Sequence, residues 1–151
     1  MSISTQDRLD IGDLYARNAW AFDTGDVDAF VATFAEDAIL DLASRHEGHA
    51  AIRRLANDAA KYDPLLPRSQ HIVSDLTIDG SSDCARTRAY VTRVHRLPGR
   101  TRNNCSIVWC GYEEDVLTRT NGQWLFAHKA ARAWQGSVVE KIVRPPLRIP
   151  E

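Results

Sequence analysis

The hydrophobic periodicity of this chain changes once, near residue 70, and that change limits the fold more than any other feature of the sequence. Before it, apolar side chains recur at helical spacing; after it, they follow the pattern of long strands. "STQD" offers a hydroxyl cap at Ser4 with a carboxylate three residues on, and Ile11, Leu14, Tyr15, Asn18 and Phe22 then recur as one helical stripe. Gly25 supplies the left-handed conformation that stops a helix, which places Asp23 in the last turn. Asp26 can cap a second helix with Val27, Phe30, Val31 and Phe34 on one face. "AILDL" reads as a strand, and "GHAAIRRLANDAAKY" as a third helix through Ala51, Ile52, Leu55 and Ala59, ended by Pro64 and Pro67. The helices are expected near residues 4–24, 26–35 and 48–61.

The second half reads as a four-strand meander: "HIVSDLTID", "CARTRAYVTRVHRL", "NCSIVWCGYEEDVLTRT" and "QWLFAHKAARAWQ", divided by "DGSSD", "PGRTRN" and "NG". Asn121-Gly122 is a strong hairpin signal, because both central residues of the favoured tight turn need positive φ. Helices followed by long antiparallel strands predict an α+β fold in which one curved, mainly antiparallel sheet packs on segregated helices. The tail "RPPLRIPE", about residues 143–151, has three prolines without amide donors and fits neither a helix nor a central strand.

A length of 151 residues suits one domain over residues 1–151. The 19 Lys and Arg against 20 Asp and Glu argue against nucleic acid as a partner. No apolar run reaches the ~20 residues of a membrane span and "MSISTQDRLD" lacks a targeting pattern, so the expected location is the cytoplasm. The 3 cysteines, Cys84, Cys105 and Cys110, make no Cys-x-x-Cys pair, and in apolar strand-like surroundings they are expected to be buried free thiols.

The order of a helix ending "FDTGD", a short helix "VDAFVATFAEDA", a strand, a third helix, then "SQHIVSDLTID" and long strands closing with "NGQWLFAHKA" resembles the SnoaL-like branch of the nuclear transport factor two superfamily. The resemblance covers almost the whole chain. It implies a cone of sheet and helices around a deep apolar pocket. Members include scytalone dehydratase, bile acid dehydratase, hexachlorocyclohexane dehydrochlorinase and polyketide cyclases. In the dehydratase and dehydrochlorinase members an aspartate at the end of helix one faces a histidine at the start of the strand after helix three, and here those places are Asp23 and His71, 48 residues apart. A pocket histidine can take a proton while an adjacent carboxylate sets its tautomer and stabilises the imidazolium. Where related lyases carry a Lys or Tyr one turn ahead of the aspartate, this chain has Asn18, with Tyr15 three residues earlier; Phe22 stands where scytalone dehydratase has a tyrosine. The dehydrochlorinase's basic residue on the last strand corresponds to Lys129, or, were a one-residue bulge to intervene, to His128 or Arg132.

The resemblance therefore implies a cofactor-independent lyase, a dehydratase or related elimination enzyme, with His71 as base and Asp23 orienting it. Tyr15, Asn18, Trp20, Lys129 and Arg132 are the candidate substrate-binding residues. The ligand would be a small hydrophobic, aromatic or alicyclic molecule, with no cofactor and no metal. "HEGH" at residues 46–49 is not a metal motif, because its His-x-x-His spacing departs from the i, i+4 of helical ligands. The same dyad could serve an isomerase, a polyketide cyclase, or loss of formaldehyde from a lignin-derived diaryl compound. A different class is a non-catalytic binder or a structural protein like the small subunit of ring dioxygenases. An apposed dyad inside a pocket favours the enzyme, and a filled cone the structural role. Members often pair their exposed sheet faces, so a homodimer or homotrimer is expected.

Overall fold

The computed structural model describes residues 2–62, 69–96 and 105–134. Pro64, Pro67, the "PGRTRN" connection and the Pro-rich tail lie outside the described residues. Helix α1 spans Thr5–Thr24, α2 Val27–Val31 and α3 Gly48–Tyr62; the strands are β1 Phe34–Asp41, β2 Arg45–Glu47, β3 Ser69–Gly80, β4 Cys84–Arg96, β5 Cys105–Thr120 and β6 Gln123–Ala133. They form a 6-stranded sheet in the order β2-β1-β6-β5-β4-β3, antiparallel throughout except where β1 runs parallel to β6. The expected α+β architecture and the β3-to-β6 meander are both present.

Local chemistry explains most boundaries. Ser4 and Asp7 close a capping box at the start of α1. At its end, Gly25 sits at φ 72, the Gly25 N–H donates to Phe22 O and the Asp26 N–H to Ala21 O, a Schellman stop. Asn121 and Gly122, at φ 52 and 79, make the β5–β6 turn that their sequence demands.

Helix α2 is shorter than its periodicity predicts. Phe34 belongs to β1, because the Thr33 N–H and hydroxyl turn back onto Phe30 O while Thr33 O accepts the Phe126 N–H. Parallel pairing with β6 thus takes Phe34 from the helix and begins β1 ahead of "AILDL". The three-residue β2 was not anticipated. All 3 described cysteines are exposed, contrary to the expected burial. Cys84 and Cys110 precede Ala85 and Gly111, which point into the fold, so alternation turns both thiols outward, and Cys105 opens its strand.

Extra residues in β3, β5 and β6 shift the register at Ser74/Thr77, at Ile107/Trp109 opposite Arg93/Val94, and at Phe126/His128. Such bulges bend strands and strengthen twist, curving the sheet around the helices. Ile11 and Leu14 of α1 and Ile52 of α3 meet Phe34, Leu117 and Phe126 in the core. Tyr15 packs edge-on to Phe126 at 5.1 Å between ring centroids. Core packing fills one part of the concave side and leaves the other open as a cavity.

Candidate active site

Asp23 and His71 meet where the end of α1 crosses the start of β3. Asp23 Oδ2 accepts the His71 backbone N–H at 2.8 Å, and Oδ1 lies 2.5 Å from His71 Nδ1. A carboxylate at the negative end of a helix is unfavourably placed with respect to the helix dipole, so a hydrogen-bond donor there has a clear electrostatic use. With Asp23 Oδ1 accepting a hydrogen bond from Nδ1–H, the neutral ring keeps its lone pair on Nε2. The Phe22 ring holds the imidazole edge-on at 5.5 Å. The two side chains are 14% and 24% exposed, shielded yet reachable.

His71 lines a cavity of about 570 Å³, within the usual range for a small-molecule site. Phe22, Phe30, Leu40, Val73, Val91 and Trp109 supply apolar walls. Gly111 permits the Trp109 wall: a Cβ there would stand 2.5 Å from the indole ring and 2.0 Å from Arg132 O.

Lys129 also reaches the cavity. The bulge weighed from sequence does occur, but it lies before Lys129, with Ala127 the extra residue between Phe126, paired to Leu117, and His128, paired to Val116. This sets Phe126, Lys129, Ala131 and Ala133 on the inner side. Lys129 Nζ donates to Glu113 Oε2 at 2.5 Å and stands 3.6 Å from Asp115 Oδ2. Asp115 accepts from the Tyr15 hydroxyl at 2.5 Å and the Ala130 N–H at 2.9 Å; Thr87 Oγ1 lies 2.6 Å from the same phenol oxygen. Burial pushes the Asp115 carboxyl up to about 6, opposed by the Lys129 charge and reinforced by Glu113. Burial alone would lower Lys129, but the Asp115 and Glu113 charges outweigh it and hold the ammonium above its ordinary value. Burial, with Asp115 next in weight, raises Tyr15 well above the usual phenol range.

Of the other expected residues, Tyr15, Asn18 and Arg132 line the same cavity. Asn18 donates to Thr33 Oγ1 at 2.8 Å, and Arg132 Nη2 donates to Asp41 Oδ2 at 2.6 Å. That hydrogen bond, with Arg132's charge, holds the Asp41 carboxyl below its ordinary value. His128 stands 3.9 Å from the same Asp41 and is not part of the cavity wall. Trp20 is a correction: it is 71% exposed and lies in a separate surface groove with Arg17. Two residues of helix rotate a side chain by about 200°, so Trp20 faces away from the wall that Asn18 and Phe22 share.

Sequence reading missed Glu113, Asp115 and Thr87. The run "YEEDVL" carries three consecutive acids, and only strand pairing decides that Glu113 and Asp115 point inward while Glu114 meets Arg88 outside. Histidines of the "HEGH" stretch make separate contacts, His46 Nε2 with Ser44 Oγ at 2.9 Å and His49 Nε2 with Phe34 O at 2.9 Å. Among the described residues no group of three or more His, Cys, Asp or Glu side chains could hold a metal ion.

This arrangement of helices on a sheet is found in other proteins. The SnoaL-like domain family matches residues 4–130. The chain belongs to that family. A protein of unknown function with a cystatin-like fold from Nostoc punctiforme PCC 73102 is 25% identical, with TM-score 0.78 over 91% of this chain and 97% of that one. An NTF2-like protein with a cystatin-like fold from Novosphingobium aromaticivorans is 21% identical, with TM-score 0.79 over 93% and 90% of the two chains. A protein from Novosphingobium aromaticivorans DSM 12444, provisionally described as a scytalone dehydratase, is 20% identical, with TM-score 0.72 over 85% of each chain. These likenesses show that this SnoaL-like chain has the NTF2-like cone fold. No curated protein matches its sequence.

Proposed function

We propose that this SnoaL-like protein is a cofactor-independent lyase acting on a small hydrophobic, aromatic or alicyclic substrate. The observation that carries the reading is the Asp23–His71 contact, 2.5 Å at Nδ1, beside a largely apolar cavity. His71 Nε2 abstracts a C–H proton, and Asp23 keeps Nδ1 protonated and stabilises the imidazolium that results. The apolar walls position the substrate, and Tyr15, Asn18, Lys129 and Arg132 supply polar contacts at its oxygen or other leaving group.

The test is a screen of pooled hydroxylated and halogenated ring compounds for mass loss of water, acid or formaldehyde, repeated with folded His71→Ala. Turnover lost in the variant supports the reading; undiminished turnover overturns it. A homodimer or homotrimer belongs to the same proposal, through the outer sheet face where Ile72, Tyr90 and Ile107 are exposed. Light scattering that returns a monomer across micromolar concentrations overturns that part alone.

A further inference from the structure

The Glu113–Lys129 pair forms a second polar end of the cavity, separate from the dyad. Both side chains are 8% exposed and both line the cavity, whereas Asp115, at 0%, is enclosed behind them. Lys129 Nζ donates to Glu113 Oε2, and the Glu113 carboxylate borders the cavity beside it. The Lys129 ammonium lies 4.9 Å from the Tyr15 ring centroid and 4.5 Å from that of Phe126, with three N–H donors to distribute. Two carboxylates surround this one ammonium, so the cluster has no surplus positive charge with which to attract an anion.

A ligand group that fits must donate to Glu113 and accept from Lys129 while remaining uncharged. A hydroxyl does both. A carbon-bound halogen has no hydrogen to donate, and a carboxylate would meet Glu113 in a site of low dielectric, where like charges repel strongly. We infer that Glu113 and Lys129 form a hydroxyl-recognising subsite, and that the group expelled from the substrate is a hydroxyl, leaving as water. The recognition follows from the cavity, and the expulsion rests on the lyase reading above. In that reaction the C–H electron pair becomes the new C=C bond as His71 Nε2 takes the proton. The C–O bond breaks, and the departing oxygen takes a proton from Lys129 Nζ. Return of the His71 proton to the Lys129 amine through cavity water restores both groups, so the substrate yields an alkene and water with no further reactant.

Titration calorimetry at neutral pH with 2-naphthol, 2-chloronaphthalene and 2-naphthoate tests the subsite without needing turnover. The wild-type chain should bind 2-naphthol roughly 10-fold or more tightly than either analogue, as expected for a hydrogen bond to a charged group. Glu113→Gln should weaken 2-naphthol by about 10-fold and leave 2-chloronaphthalene unchanged. The double substitution Glu113→Gln, Lys129→Met removes both charges together and should abolish the preference for 2-naphthol. His71→Ala should retain it. Equal binding of the probes by the wild type, or a preference that survives in the folded double variant, overturns the subsite even where His71→Ala abolishes turnover. Loss of the preference in His71→Ala would assign the hydroxyl to the dyad and also overturn it. An active His71→Ala that keeps the preference would sink the dyad mechanism and leave the subsite standing.

Discussion

The two polar ends of the cavity use the same kinds of residue under opposite conditions. Asp23 and His71 are 14% and 24% exposed, so water can reach the ring and exchange its proton. Lys129 and Glu113 are each 8% exposed and Asp115 0%, so the charges there must be balanced almost wholly by one another. Removal of a member should therefore lower rate at the first end and stability at the second, because an uncompensated buried charge retains its full desolvation cost.

The largest expected effect lies at the accessible end. His71→Ala should lower turnover on the order of 100- to 10,000-fold, the usual contribution of a positioned general base, while urea unfolding stays near wild type. A large fall in urea midpoint with little loss of rate would invert the comparison. At the buried end, Lys129→Met should cost about 3–5 kcal/mol in urea unfolding, because Glu113 and Asp115 lose their common cation. A loss under about 1 kcal/mol would mean that the cluster is far wetter than its exposure indicates.

A smaller effect sharpens the contrast through pH. The folded chain raises Asp115 from 3.8 to about 6 and so keeps its proton longer than the unfolded chain does. Its favourable contribution is complete below 3.8 and is lost as pH rises to about 6. Relative to Asp115→Asn, the wild type should therefore lose stability across that window, as measured by urea midpoints at successive pH values; parallel profiles would refute the assignment. The smallest effect is expected outside both ends. Trp20→Ala should change stability by no more than about 0.5 kcal/mol and leave turnover and probe binding unchanged, since its side chain is solvent-exposed and away from the cavity. Weakened 2-naphthol binding in that variant would show that the surface groove and the cavity are coupled.

Local signals carried much of this fold. The Ser4 cap, the Gly25 stop, the Asn121-Gly122 turn and the change of period near residue 70 each act over a few residues, so the sequence alone determined the order of the three helices and the five longer strands and put Asp23 at a helix end. The expectation that Asp23 faces His71 came from resemblance to a family, because 48 residues separate them and no local rule links them. Tertiary structure decided the rest. Pairing with β6 drew Phe34 out of the second helix, and the extra residue at Ala127 chose Lys129 over His128 for the cavity wall. Strand pairing likewise turned Glu113 and Asp115 inward and the cysteines outward. A strand's side chains alternate with a period of two, so one bulge or one step of register exchanges its faces, and that choice is made by the neighbouring strand rather than by the residues themselves.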